Sequence, residues 1–278
     1  MKKMKWFVAF MAVVLVAAAS AGDFAPIPTT RPNLDIMKCA HRGVKYYAPE
    51  NTIPAIEKAI ELGYTYVEID VRYTKDGVPV LMHDSSVTRT TSGVGPLSWY
   101  TLSELKKLDA GFWKGPEFIG TKVPTVEEAL QVMEGRIKLY LDQKEPPTPG
   151  LIELFKEYNF YPDNIVVVGG GPRQKKFLEY EPDAPVMPKM HSTEDVDRLI
   201  EEFPSLVAFN SDCSEITHEM VDAAHARGRM VFTNVLHMPL WVMDDCMRKP
   251  MLAGSDVIQF DKVPLFEKTM NDLKTGAE

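Results

Sequence analysis

The sequence contains only three cysteines, Cys39, Cys213 and Cys246. That is too few for a disulfide framework, although an oxidising compartment would permit one bridge. Cys39 lies inside an apolar run and reads as a buried free thiol; nothing in the sequence pairs the other two. No glycine-rich dinucleotide fingerprint follows the first apolar run after the N-terminus, and no internal repeat or low-complexity tract is evident. The 15 methionines show no metal-binding spacing, and no membrane-binding amphipathic helix stands out. Positive charge is also scarce: 31 Lys and Arg against 39 Asp and Glu give a formal charge of −8. That field disfavours nucleic acid and anionic membranes as partners, so an anionic substrate requires a local cluster of Arg, Lys or metal.

What is present begins with a leader. Residues 1–21 combine Lys2, Lys3 and Lys5, an apolar stretch from Trp6 to about Ala18, and the small-residue site Ala19-Ser20-Ala21. This is the pattern of a secretory signal peptide cleaved before Gly22, which implies an exported, periplasmic or secreted protein. A retained anchor is the rival, but its apolar run is near the lower length limit for spanning. No cysteine beside the cleavage site offers a lipid anchor, and no stable membrane insertion is expected after cleavage. Cleavage removes three lysines and moves the charge from −8 to −11. The remaining residues 22–278, in a chain 45% hydrophobic and 25% charged, suffice for one domain with a real core. The oligomeric state is not legible.

Short apolar, β-branched runs alternate with helical patterns. Strands are expected at 36–41, 66–71, 138–144, 165–169, 186–189, 206–210, 230–234 and 257–261. Helices between them include 54–62, 126–133, 151–158, 173–180, 194–202 and 218–227. Repeated strand–helix units imply parallel pairing, and eight of them match a closed (β/α)₈ barrel, with a doubly wound open sheet as runner-up. A ninth run, 78–83, follows "KDG" and reads as an arm returning along the second strand, or else as a true barrel strand. A tight hairpin centred on Asp76-Gly77 would set Asp70 across from His83. Residues 84–125 form a loop or insert with one short helix near 101–108.

In such a barrel the C-terminal strand ends share one mouth. His41 and Arg42 lie after the first strand, Glu68 and Asp70 on the second, Asp142 and Lys144 on the third, and His83 and Asp84 close the arm. Three converging carboxylates raise one another's pKa unless a cation compensates them. Their all-oxygen donor set suits Ca²⁺ or Mg²⁺ rather than tetrahedral zinc; a structural salt-bridge cluster is the plainer alternative. His41 and His83 form a candidate acid–base pair. Arg42 and Lys144 suit a phosphate, or serve as counter-ions to the carboxylates. Asn51 reads as part of the turn before a helix capped by Thr52, with Pro54 in its first turn. Glu50 lacks a comparable reason and is free to orient Arg42 or join a metal's shell. Trp99, Tyr100, Phe112, Trp113 and Phe118 either cap a pocket or pack the insert onto the barrel. The "GGGPR" run at 169–173 is either an anion nest or a flexible turn.

The ordered set "HRG" (41–43), "PENT" (49–52), "VEIDV" (67–71), "TKDGVPVLMHD" (74–84), "RTTSGVG" (89–95), "TLSELKKLDAG" (101–111), "VPTVEEAL" (123–130) and "LDQK" (141–144) resembles the glycerophosphodiester phosphodiesterase family. The resemblance is dense from about residue 36 to 145 and diffuse beyond. It implies a (β/α)₈ barrel that hydrolyses glycerophosphodiesters to sn-glycerol 3-phosphate and an alcohol, using a divalent cation. It further implies catalytic roles for His41 and His83, metal ligation by Glu68, Asp70 and Asp142, and substrate support by Arg42, Glu50 and Lys144. In this mechanism the substrate's own 2-hydroxyl attacks the phosphate to give a cyclic phosphate that water then opens. Three departures stand out: Asp142 replaces a usual Glu, Phe232 takes a usual Trp position on a late strand expected to line the substrate mouth, and Phe260-Asp261 replaces "TD". Alternatives are a phosphodiesterase acting on lysophospholipid or phospholipid headgroups, and a silent phosphate-ester binding protein. Retention of two histidines argues against the latter.

Overall fold

The computed structural model describes residues 34–168, 171–236 and 238–276. The expected leader, 1–21, lies outside the described residues, as do two glycines of the "GGGPR" run. In chain order the elements are β1 (Met37–Ala40), α1 (Ile53–Glu61), β2 (Tyr66–Tyr73), β3 (Pro79–Leu81), α2 (Leu102–Leu105), α3 (Val126–Met133), β4 (Lys138–Gln143), α4 (Pro149–Glu157) and β5 (Ile165–Val168). They continue with α5 (Pro172–Tyr180), α6 (Glu194–Glu202), β6 (Ala208–Asp212), α7 (His218–His225), β7 (Met230–Val235), α8 (Leu240–Ala253), β8 (Val257–Phe260) and α9 (Val263–Thr275).

The strands run in the order β5-β4-β2-β1-β8-β7-β6, all parallel, with β3 antiparallel to β2 off this path. The gap between β5 and β6 is filled by residues 186–189, expected as a strand. They form isolated bridges instead: Val186 to Val167 and Leu206, and Lys189 to Asn210. Pro185 and Pro188 lack the N–H groups a continuous ladder needs. Their carbonyls still accept, from Val167 N–H at 2.9 Å and Asn210 N–H at 2.9 Å. The result is a nearly closed (β/α)₈ barrel of the TIM type.

One buried side chain from each of the eight positions fills the barrel floor: Cys39, Tyr66, Tyr140, Val166, Met187, Ala208, Phe232 and Val257. This corrects the placement of Phe232. Its ring is 0% exposed and lies edge-on to Tyr66 (centroids 5.1 Å apart) and Tyr140 (6.0 Å), so it packs the floor rather than lining the mouth. Cys39 is the expected buried free thiol, and Cys213 and Cys246 are joined in a disulfide.

The β2–β3 hairpin is in a different register from the expected one. Val71 opposes Leu81, so Asp70 faces Met82, whose N–H donates to the Asp70 carbonyl at 3.0 Å. The cause is Gly77, which takes φ +80° and makes a three-residue loop closed by Thr74 and Val78. His83 therefore leaves the ladder and sits on the following bend. The insert, residues 84–125, packs Val87, Leu97, Leu105, Ala110 and Val123 against Val80 and Met82 of the hairpin arm in a small separate core. Of its aromatics, Trp99 is 68% exposed, whereas the Trp113 indole N–H is tied to the Thr90 and Ala110 carbonyls, each at 3.0 Å.

Candidate active site

The turn after β1 folds tightly over the end of β2. Arg42 and Gly43 both have positive φ, +58° and +74°. A Cβ on Gly43 would lie 2.5 Å from the Ala55 Cβ of α1, so only glycine lets the turn approach that helix. Held this way, the Arg42 N–H donates to Glu68 Oε2 at 2.7 Å, while its guanidinium reaches Glu50 Oε1 at 2.9 Å and Asp70 Oδ2 at 3.3 Å. The left-handed backbone at Arg42 and Gly43 and the fixed guanidinium share one cause, the close packing of β1, β2 and α1.

Glu68, Asp70 and Asp142 come together as expected, with one ligand atom of each within 4.8 Å of the others. Glu68 and Asp70 are both buried, and β2 and β4 set Asp70 directly beside Asp142. Lys144 Nζ bridges the pair, 2.9 Å from Asp70 Oδ1 and 2.6 Å from Asp142 Oδ2. Burial, then Asp70 and Asp142, push the Glu68 carboxyl well above its ordinary range. Burial also acts upward on Asp70, but Lys144, Arg42 and the Asn51 amide outweigh it and hold that group below its ordinary value. Two cations thus stabilise Asp70 and leave Glu68 short of positive charge. A hard divalent ion fits that deficit and the all-oxygen donor set.

The two histidines are each tied to a carboxylate through Nδ1. His41 Nδ1 lies 2.8 Å from Asp261 Oδ1, and Asp261 Oδ2 lies 2.9 Å from Lys45 Nζ. Burial pulls the His41 pKa below the ordinary histidine value, with Asp261 opposing it only in part. His83 Nδ1 lies 2.7 Å from Asp84 Oδ1. Arg89 then joins that side to the first turn: its Nε donates to Asp84 Oδ2 at 2.6 Å, and its Nη1 and Nη2 donate to Glu50 at 2.9 and 2.8 Å. A continuous chain of ion pairs therefore runs His83–Asp84–Arg89–Glu50–Arg42. Glu50 orients Arg42 and stands outside the carboxylate cluster.

Several of these roles were not legible from residue pattern. Asn51, expected only to shape a turn, has φ +54° and clamps Asp70: its Nδ2 donates to Asp70 Oδ2 at 2.7 Å, and its Oδ1 accepts the Asp70 N–H at 3.2 Å. Thr52 precedes α1 as expected but does not cap it, since its hydroxyl donates back to the Pro49 carbonyl at 2.6 Å. Arg89 is close in sequence to Asp84 but 39 positions from Glu50, and Asp261 is 220 positions from His41; their presence within the quoted motifs was the only signal.

The signature of the Glycerophosphoryl diester phosphodiesterase family matches residues 41–159, the stretch that carries both histidines and all three carboxylates. Over that stretch the chain is similar to the glycerophosphodiester phosphodiesterase family. It is 39% identical over 150 residues to a glycerophosphodiester phosphodiesterase of Bacillus subtilis (strain 168), an alignment covering 51% of this chain and 49% of that one. The chain spans between about half and 62% of the length of the first curated relatives it matches. Among solved structures it resembles an Oleispira antarctica phosphodiesterase in complex with the product sn-glycerol-3-phosphate (TM-score 0.70, 26% identity, 84% of this chain and 96% of that one). It shares the fold of a glycerophosphodiester phosphodiesterase from Agrobacterium tumefaciens str. C58 (TM-score 0.73, 23% identity, 84% and 99%).

Proposed function

We propose that this protein is an exported hydrolase that cleaves glycerophosphodiesters to sn-glycerol 3-phosphate and an alcohol, with a Ca²⁺ or Mg²⁺ ion held by Glu68, Asp70 and Asp142. The observation that carries the reading is the meeting of those three carboxylates with Arg42 and Lys144, on a barrel end that also bears two carboxylate-held histidines. The sn-glycerol-3-phosphate bound by the Oleispira relative agrees with the product named.

Arg42 and Lys144 bind the phosphate oxygens, arriving already oriented by Glu50 and by Asp70 and Asp142. The divalent cation supplies further charge stabilisation to the phosphate when bound. With Nδ1–H donated to Asp261, the basic lone pair of His41 is on Nε2. The equivalent bond to Asp84 gives His83 the same tautomer. One histidine takes the proton from the substrate's 2-hydroxyl, the other delivers a proton to the departing alcohol, and the roles reverse when water opens the cyclic phosphate. An intramolecular hydroxyl has a large proximity advantage, so no protein nucleophile is required. Export is supported by the leader-like residues 1–21 and by the Cys213–Cys246 disulfide, a bond that persists in oxidising compartments.

The test is release of sn-glycerol 3-phosphate from a panel of glycerophosphodiesters by the mature protein, in EDTA and then with Ca²⁺ or Mg²⁺. Metal-dependent release lost in both His41→Ala and Glu68→Ala is expected. Release in EDTA, or full activity in either variant, would contradict the reading.

A further inference from the structure

A cavity of about 510 Å³ has in its lining Asp261, the carboxylate that holds His41, and its strand-end walls lie on the opposite side of β1 from Glu68, Asp70 and Asp142. The strand order β4-β2-β1-β8-β7 fixes these sides. The carboxylates stand on β2 and β4, to one side of β1, and the cavity draws its walls from the ends of β7 and β8 on the other, together with the loop after β1 and the insert. Asp261 is common to both places, because it lines the cavity and holds His41. A group bonded to the phosphate and pointing away from Glu68 would enter here.

The charge of this cavity is opposite to that of the chain. Its lining includes Lys45, Lys114 and Lys262 against one carboxylate, Asp261. Asp261 is already committed to His41 and to Lys45 at 2.9 Å. Lys114 Nζ donates to the Lys45 and Tyr46 carbonyls at 2.6 and 3.0 Å, which uses two of its three N–H donors without neutralising it. Glu50 and Glu117 act on Lys114 from outside the lining. Lys262 is exposed and makes no ion pair among the described residues. A quaternary ammonium is recognised by several aromatic faces or by free carboxylates. Among the described residues Tyr46 is the only aromatic in this lining, and no carboxylate in it is free of a cation. Lysine ammonium groups offer donors and no acceptors, which suits hydroxyl and phosphate oxygens.

We propose that this cavity receives the alcohol half of the diester and selects uncharged or anionic polyols over cationic alcohols such as choline. The inference rests on the glycerophosphodiesterase reading and adds the substrate class to it.

The experiment compares kcat/KM of the metal-loaded protein for three diesters of glycerol 3-phosphate, whose alcohols are glycerol phosphate, glycerol and choline. The rate constants should fall in that order, with the anionic alcohol at least about tenfold ahead of choline at low salt and the ratio shrinking as salt is added. The overall charge, −8 for the full sequence and −11 without residues 1–21, works against this order, so long-range attraction would not imitate it. Lys262→Glu, at an exposed position, should swing the ratio about tenfold toward choline, whereas Lys262→Arg should preserve it. Lys114→Glu should act in the same direction. Equal or better use of the choline diester, or a ratio unmoved by Lys262→Glu, would overturn the inference while leaving the hydrolase reading intact. Absence of turnover of all three diesters would overturn both.

Discussion

On the β1, β2 and β4 side of the barrel, Glu68, Asp70 and Asp142 converge with Arg42 and Lys144, whose ion pairs span 2.6–3.3 Å. On the β6, β7 and β8 side the inward positions carry amides. Asn234 donates to Asn210 at 3.0 Å, Asn210 to the Tyr140 hydroxyl at 2.7 Å, and Gln259 approaches the Cys39 sulfur at 3.8 Å. The first side holds charge that a substrate or ion must balance, while the second is linked by neutral hydrogen bonds from Asn234 to Asn210 and from Asn210 to Tyr140. Residues 41–159, which match the family signature, supply the charged side; the late strands lie outside that match. The charged side thus comes from the earlier part of the chain, and Asp261 is the point where the late strands touch a proposed catalytic histidine.

The largest expected effect tests that point. Asp261→Asn should lower kcat by about a hundredfold, since the His41 tautomer and ring angle lose their support. Asp261 raises the His41 pKa against the larger effect of burial. Its loss should therefore move the His41-controlled limb of the pH–rate profile to lower pH, a shift that a merely loosened loop would not produce. Arg89→Ala, on the charged side, should cost about tenfold in kcat/KM because it frees both Glu50 and Asp84. An unchanged rate would mean that the ion-pair chain to His83 is only structural.

Stability sharpens the comparison further. Glu68 has a raised pKa in the folded protein, so the stability it contributes without metal is fully present below its ordinary 4.5 and is lost as pH rises through the folded value. Adding Ca²⁺ or Mg²⁺ should raise Tm by several degrees above that range and by little below it, and Glu68→Gln should abolish the difference. At the smallest end, Phe232→Leu should cost about 1–2 kcal/mol of stability in chemical denaturation while leaving the substrate ratios unchanged. A change in substrate preference would restore Phe232 to the mouth.

Much of this was legible in the sequence because the barrel strands are apolar runs at regular spacing, and because strand ends share one mouth. Residues that failed did so for local reasons. Pro185 and Pro188 turn an expected strand into two-sided bridges, and the left-handed Gly77 moves the hairpin register by one residue. Asn51 looked like a turn residue because its partner, Asp70, is 19 positions away across the packing of α1 on β2. The His41–Asp261 bond spans 220 positions and exists only because β1 and β8 are neighbours in the closed ring. Phe232 misled because a late-strand position does not fix its layer; the register with Val257 places it on the floor.

The central claim is that the charged side of the mouth holds a cation without which the diester is not cleaved. Glycerol 3-phosphate release should be measured on one preparation before EDTA, after it, and after Ca²⁺ or Mg²⁺ is restored, with Glu68→Gln alongside. The account predicts activity that vanishes in EDTA, returns with one of the two ions, and is absent in Glu68→Gln under all three conditions. Undiminished release in EDTA by the native protein, matched by Glu68→Gln, would contradict it.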